Sequence, residues 1–275
     1  MKIAIQGYAG SFHHEAAQKF FGNEIEIIPC ATFRELFKKV ETGPDISAAV
    51  MAIENSIAGS ILPNYSLLQQ SHLKVVGEIY LLINHNLLAL PEVTLKDIRE
   101  VHSHPMALLQ CTDYLDAHHW KLVETEDTAL SARLINDNKR THTAAIASAL
   151  AAQLYHLQIL EPNIQTEPFN YTRFLVLKKE SPAIENPKAN KASVFFEIKH
   201  QSGSLARILT LIAGCNINLS KLQSAPIPKT PWKYAFHVDM EFESMLDFNH
   251  AIEKLRDETN QLIIYGVYEC GDRLI

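Results

Sequence analysis

The chain has 275 residues, 47% hydrophobic and 20% charged, which supplies core for two domains and excludes a disordered or fibrous class. A net charge of −6 and a pI near 6.1 argue against nucleic acid or a membrane surface as partner. No stretch reaches the roughly 18 apolar residues that a membrane-spanning helix needs.

The four cysteines, Cys30, Cys111, Cys215 and Cys270, form no C-x-x-C pair and read as reduced core thiols, not as a zinc site or disulfide framework. The sequence opens on a strand, Lys2 to Gln6, too short and too quickly polar for a signal peptide, so a cytoplasmic location is expected. Gly7 to Gly10 then form a turn leading into a helix, with Phe12, Ala16, Ala17 and Phe20 on its inner side. Two readings of that turn stand side by side: an anion cradle of backbone N–H groups, or a tight turn that needs positive φ. The G-x-x-G spacing is not a dinucleotide fingerprint.

A short strand from Glu24 to Pro29 follows, then a helix with the capping-box pair Thr32 and Glu35. Ile46 to Ile53 is a nearly continuous apolar run, hence a buried strand, and it ends in Glu54-Asn55-Ser56 with Gly59 close behind. Small polar residues beyond a strand's C-terminal end are where α/β proteins place ligands; the plainer reading is helix capping by Asn55 or Ser56. Val75 to Leu90 reads as extended. In Ser103-His104-Pro105, Pro105 fits a first helical turn and Ser103 its cap. His102 and His104 alternate along the strand end, so they do not share a metal.

Trp120 to Thr125 is a strand; Asp127 and Thr128 start a helix running to about Asn138; Thr143 to Ala147 is a strand; and Ser148 caps a helix to Tyr155. Asn170-Tyr171-Thr172-Arg173 sets an amide, a hydroxyl and a guanidinium at the mouth of the apolar run from Phe174 to Leu177. A Thr hydroxyl can donate to a leaving oxygen, and an Arg fork can hold a carboxylate. The alternation of strand and helix indicates α/β layers. From Lys178 to Lys191 the chain turns to Pro, Lys and Glu, the composition of a linker. Strands over 192–199, 217–225, 232–242 and 261–268, with helices over 203–213 and 244–258, give the β-α-β-β-α-β order of a ferredoxin-like unit.

Taken in order, Gly10-Ser11-Phe12-His13, Glu54-Asn55-Ser56 with Gly59, Ser103-His104-Pro105 with Gln110-Cys111, Asp127-Thr128-Ala129, Ser148 between Ala147 and Ala149, and Thr172-Arg173-Phe174 resemble the prephenate dehydratase family over essentially the whole chain. Two positions depart from the family pattern: Ser11 replaces a Thr, and His13 a Ser or Thr. The C-terminal unit resembles an ACT regulatory module. Its two loop motifs read Gly203-Ser204-Leu205-Ala206 and Gln223-Ser224-Ala225-Pro226, with the usual Arg lost and the Glu replaced by Gln.

The resemblance implies an α/β protein: a catalytic half over 1–178 with two lobes similar to periplasmic binding proteins, a linker over 179–191, and an ACT domain over 192–275. The chain would cross to the second lobe near 75–80 and return near 157. It implies decarboxylating dehydration of prephenate to phenylpyruvate without metal or other cofactor. Thr172 and Arg173 would be catalytic, with Ser11, Asn55, Ser56, Ser103, Thr128, Ser148 and Phe174 around the substrate. Phenylalanine would act as effector through Gly203, Ser204, Leu205, Ala206, Gln223, Ser224 and Pro226. A homodimer or homotetramer is expected, with no nucleic acid and no membrane. The other readings are an arogenate dehydratase and a non-catalytic amino-acid-binding regulatory protein.

Overall fold

The computed structural model describes residues 1–179, 186–227, 230 and 233–273. Much of the expected linker, and Trp232 at the start of one expected strand, therefore lie outside the described residues. Among the described residues, no helix is long and apolar enough to cross a membrane.

The N-terminal stretch supplies β1 (Lys2–Gln6), α1 (Phe12–Phe21), β2 (Glu26–Cys30), α2 (Phe33–Thr42) and β3 (Ile46–Asn55). β1 lies between β2 and β3, parallel to both, and Ile3, Ala4 and Ile5 are wholly buried. α1 begins at Ser11, whose side chain accepts from the His14 N–H, and α2 begins at Thr32, whose side chain accepts from the Glu35 N–H. The Glu35 carboxylate reaches back to the Ala31 N–H, one residue before the cap, so the capping pair is present in a shifted form.

A two-residue β4 (Gly59–Ser60) precedes α3 (Leu62–Gln70), β5 (Lys74–Leu82) and β6 (Asn86–Ala89). α3 has no side-chain cap, so neither Asn55 nor Ser56 caps a helix. Next come β7 (Glu100–Ser103), α4 (Pro105–Gln110), α5 (Thr112–Asp116), β8 (Lys121–Glu124), α6 (Thr128–Asp137), β9 (Thr143–Ala147), α7 (Ala149–Leu154) and β10 (Gln158–Glu161). β10, β6, β9, β7 and β8 form one sheet in that order, over a core that includes Leu87, Val101, Ile135 and Ile146. The cap of α4 is His104, whose Nδ1 accepts from the Met106 N–H; Ser103 ends β7 and is wholly buried. β11 (Tyr171–Lys178) completes the other large sheet, in the order β2-β1-β3-β11-β5, with β4 paired to β3.

The C-terminal part contains β12 (Lys191–Glu197), α8 (Ser204–Ala213), β13 (Asn218–Pro226), β14 (Tyr234–Glu241), α9 (Met245–Glu258) and β15 (Gln261–Tyr268). The order β13-β14-β12-β15 is antiparallel throughout, which is the ferredoxin-like arrangement the sequence pattern indicates.

The chain divides into two compact units. The first holds 1–59 and 79–174, the second 60–78 and 175–273. In the second unit, β5 residues approach β15 so closely that a side chain at Gly266 would meet the Val75 carbonyl oxygen at 1.9 Å. Lys191 and Glu78 pair there at 2.9 Å, both buried, and Tyr65 packs on His237 with ring centroids 4.7 Å apart.

Candidate active site

The site in the first unit grows from the end of β3 and the start of β11. Asn55 is the last residue of β3, and its Oδ1 accepts from the backbone N–H groups of Ile57 and Ala58 at 3.0 and 2.9 Å. Backbone N–H groups only donate, so this contact fixes which end of the Asn55 amide is oxygen. Nδ2 must then donate, and its acceptors are Asn170 Oδ1 at 2.6 Å, Thr172 Oγ1 at 3.0 Å and the Tyr171 carbonyl at 3.2 Å. Asn170 Nδ2 in turn donates to Gln110 Oε1 at 3.0 Å, and the same oxygen lies 2.9 Å from His85 Nε2. Direction is thus imposed along the whole chain of groups from two peptide N–H groups.

Two donors are left over. The Thr172 oxygen accepts from Asn55, and its own hydrogen has no acceptor among the described residues. Gln110 uses its oxygen twice, and its NH₂ has no partner among the described residues. Such groups suit an anion or a departing oxygen.

Asn170 and Thr172 are two apart on the chain and both meet Asn55, so they share a face. Phe174 continues that face, packing edge-on to the His13 ring with centroids 5.0 Å apart. His13 Nε2 accepts from the Ala52 N–H, and burial lowers this imidazole to about 4, so it stays neutral and holds β3. Strand alternation sends Arg173 to the other face, where it is 5% exposed.

The other hydroxyls singled out in the sequence are mostly engaged by backbone. Ser56 donates to the Phe169 carbonyl and accepts from the Tyr171 N–H, tying the β3 turn to the start of β11. Ser148 donates to the Gly10 carbonyl at 2.6 Å and accepts from the Ala151 N–H. Ser103 donates to the Ile146 carbonyl, and Ser11 caps α1. Thr128, half-buried at the first turn of α6, has no partner for its hydroxyl among the described residues.

At the Gly-rich turn, the N–H groups of Gly7, Gly10 and Ser11 go to Cys30 O, His14 Nδ1 and Tyr8 O. Those three are occupied by β2, the turn itself and the first turn of α1, as a tight turn requires. Gly7 has φ +89°, and a Cβ on it would sit 2.5 Å from Asp127 Oδ2. Asp127 caps α6, and burial raises its pKa against the opposing backbone hydrogen bonds. The sequence assigns no site role to Gln110 or His85, and it reads Asn170 only as an amide at the mouth of the strand. Gln110 and Asn170 stand inside quoted motifs, whereas His85 lies in an extended stretch with no local signal.

A family model described as prephenate dehydratase matches residues 3–182. The chain belongs to the prephenate dehydratase family. "Arogenate dehydratase/prephenate dehydratase 1, chloroplastic" of Arabidopsis thaliana is 36% identical, over 98% of this chain and 72% of the relative. Among solved structures, the prephenate dehydratase of Arthrobacter aurescens in complex with L-Phe superposes with a TM-score of 0.87 at 26% identity, covering 98% of this chain and 90% of that one. GqqA, described as a novel type of quorum quenching acylase, gives a TM-score of 0.88 at 30% identity over 98% of each chain. Thr172-Arg173-Phe174 stands at one end of the amide chain.

In the second unit, a cavity of about 340 Å³ is lined by Ser204, Leu205 and Ser224, together with Lys199, His200, Tyr234 and Phe236. Gly203 takes φ +82° to start α8, and the Gln223 side chain donates to the Ser224 carbonyl. Ala206 and Pro226 do not line the cavity. Among the described residues, no group of three or more His, Cys, Asp and Glu could hold a metal ion.

Proposed function

We propose that this protein is a prephenate dehydratase: one proton is taken up, the ring hydroxyl leaves as water, the ring carboxylate leaves as carbon dioxide, and the ring becomes aromatic phenylpyruvate. Aromatisation supplies the driving force, so the protein chiefly assists the hydroxyl's departure. The observation that carries this reading is the one-way amide chain, which leaves the Thr172 hydrogen free to donate to the leaving oxygen. The Gln110 amide hydrogens and the Thr128 hydroxyl are neutral donors suited to a dianion. Asn55 orients Thr172, and Ser56 fixes the turn beside it. Ser11, Ser103 and Ser148 shape the site through backbone. Arg173, on the opposite face, contributes positive potential, and Phe174 packs beneath.

The domains under this reading are a catalytic part over 1–178 with two lobes and an ACT regulatory part over 192–275. The 340 Å³ cavity has the aromatic wall and cationic rim that a phenylalanine effector needs, with Ser204, Leu205 and Ser224 on it. β13 stands at a sheet edge, which favours pairing into a homodimer or homotetramer. The location is cytoplasmic. Arogenate is the runner-up substrate, favoured by the Arabidopsis relative's name.

Purified protein is incubated separately with prephenate, arogenate and an N-acyl homoserine lactone. Phenylpyruvate from prephenate is expected. Phenylalanine formed from arogenate at the higher rate would overturn the substrate assignment, and acyl cleavage alone would overturn dehydration. The Thr172 hydroxyl has an amide as neighbour and not a base, which disfavours acyl transfer through it.

A further inference from the structure

We propose that His85 is a positioning residue, whose Nε2–H locks the Gln110 side chain so that both of its amide hydrogens face the substrate. This rests on the dehydratase reading of the site. Gln110 Oε1 is an acceptor toward Asn170 Nδ2, because Asn170 Oδ1 already accepts from Asn55, whose own orientation is set by backbone. A second group 2.9 Å from that oxygen must carry a hydrogen, so His85 bears its proton on Nε2.

His85 is 2% exposed, and its Nδ1 is a buried nitrogen without a hydrogen-bond partner among the described residues. A structural histidine usually satisfies both nitrogens; leaving one bare is a cost that a purely packed side chain need not carry. Burial also lowers the pKa of His85, against the opposing Gln110 hydrogen bond, so the ring stays neutral. The ring itself is held in place: Phe12 meets it edge-on at 5.3 Å, its backbone N–H donates to Gln165 Oε1, and its carbonyl accepts from the Ile164 N–H. A fixed ring with a fixed tautomer fixes the amide. Were the Gln110 amide turned over, NH₂ would face two donors and its oxygen would face an incoming carboxylate.

The experiment has two parts. Long-range ¹H–¹⁵N NMR of the ¹⁵N-histidine-labelled full chain reads the tautomer directly: the Nε2–H form is expected for His85, and the Nδ1–H form would overturn the proposal even if no variant folds. Steady-state kinetics with prephenate then compare His85→Phe, Gln110→Ala and the double variant. His85→Phe is expected to lower kcat/KM about tenfold, the worth of one hydrogen bond. In the Gln110→Ala background the same change should cost less than about twofold, because the residue acts through the amide. Equal losses in both backgrounds, or no loss in either, would overturn the proposal. A wild-type protein that leaves prephenate untouched would instead overturn the dehydratase reading, with the tautomer result still deciding the role of His85 at Gln110.

Discussion

Lys191→Met tests whether residues 60–78 are held to the C-terminal sheet by the buried ion pair. Lys191 is wholly buried, with its ammonium 2.9 Å from Glu78 Oε1 and 3.5 Å from Glu241 Oε1. Glu78 is 4% exposed, and the same oxygen also accepts from the Gly271 N–H at 3.2 Å and the Cys270 thiol at 3.4 Å. Methionine keeps much of the lysine stem and removes the charge. Breaking a buried pair from one side costs about 3–5 kcal/mol, because the remaining charge loses its compensation. The N–H and S–H donors stay in place, so the low end applies, about 3 kcal/mol. At about 2–4 °C per kcal/mol for a chain of this size, the Tm should fall by roughly 6–12 °C. Adding Glu78→Gln removes the uncompensated charge and should recover most of the loss. Calorimetry and urea titration of wild type, the single variant and the double variant provide the measurement. A single variant within about 1 kcal/mol of wild type, or a double variant as unstable as the single, would refute the reasoning.

Thr172→Ala should lower kcat by roughly 10²–10⁴-fold with an unchanged urea midpoint, since it removes a donor used mainly in the transition state; steady-state kinetics with prephenate check this. Burial lowers His237 to about 4 from 6.5, against the opposing Asp239 charge, so the folded state holds this ring neutral. Its stabilisation is complete above pH 6.5 and is lost as pH falls toward 4. At about 1.36 kcal/mol per pH unit, wild type should lose about 3 kcal/mol more than His237→Phe over that window, measured by urea titration at each pH. A chain ending at Lys179 loses the sheet against which Val75, Tyr65 and Glu78 are buried, and should be poorly soluble unless those positions are made polar, as gel filtration will read.

Helix starts were legible at Thr32, Asp127 and Ser148, which cap as their chemistry dictates; Ser11 and Ser244 cap as well, without having been singled out for it. The ferredoxin-like unit was legible too, because its strands and helices carry clean periodicity. α3 was not, since Ile61 offers no cap and the Pro63-Asn64 pair reads as a turn. The local pattern makes Ser103 a cap, but its hydroxyl is drawn to a carbonyl of β9, a neighbour no local pattern announces. The site was legible only in part. Asn55 and Thr172 carry their chemistry in their side chains. The amide chain that orients them closes over separations of 115, 60 and 25 residues, so its polarity exists only after folding.

The glycine at 266 and the lysine at 191 also govern when the protein can mature. Glu78 and Lys191 are 113 residues apart. At about 5–20 residues per second, a ribosome reaches Lys191, the first residue of the covering sheet, roughly 6–20 s after Glu78, and β14 and β15 come later still. During that interval Tyr65 and Val75 have no apolar surface of their own unit to meet, and the Glu78 carboxylate remains in water. The first unit contains residues on both sides of this segment, so its early closure leaves 60–78 looped out and waiting. Slow translation or a pause in the 180s would lengthen that exposure and make chaperone demand a function of codon choice there.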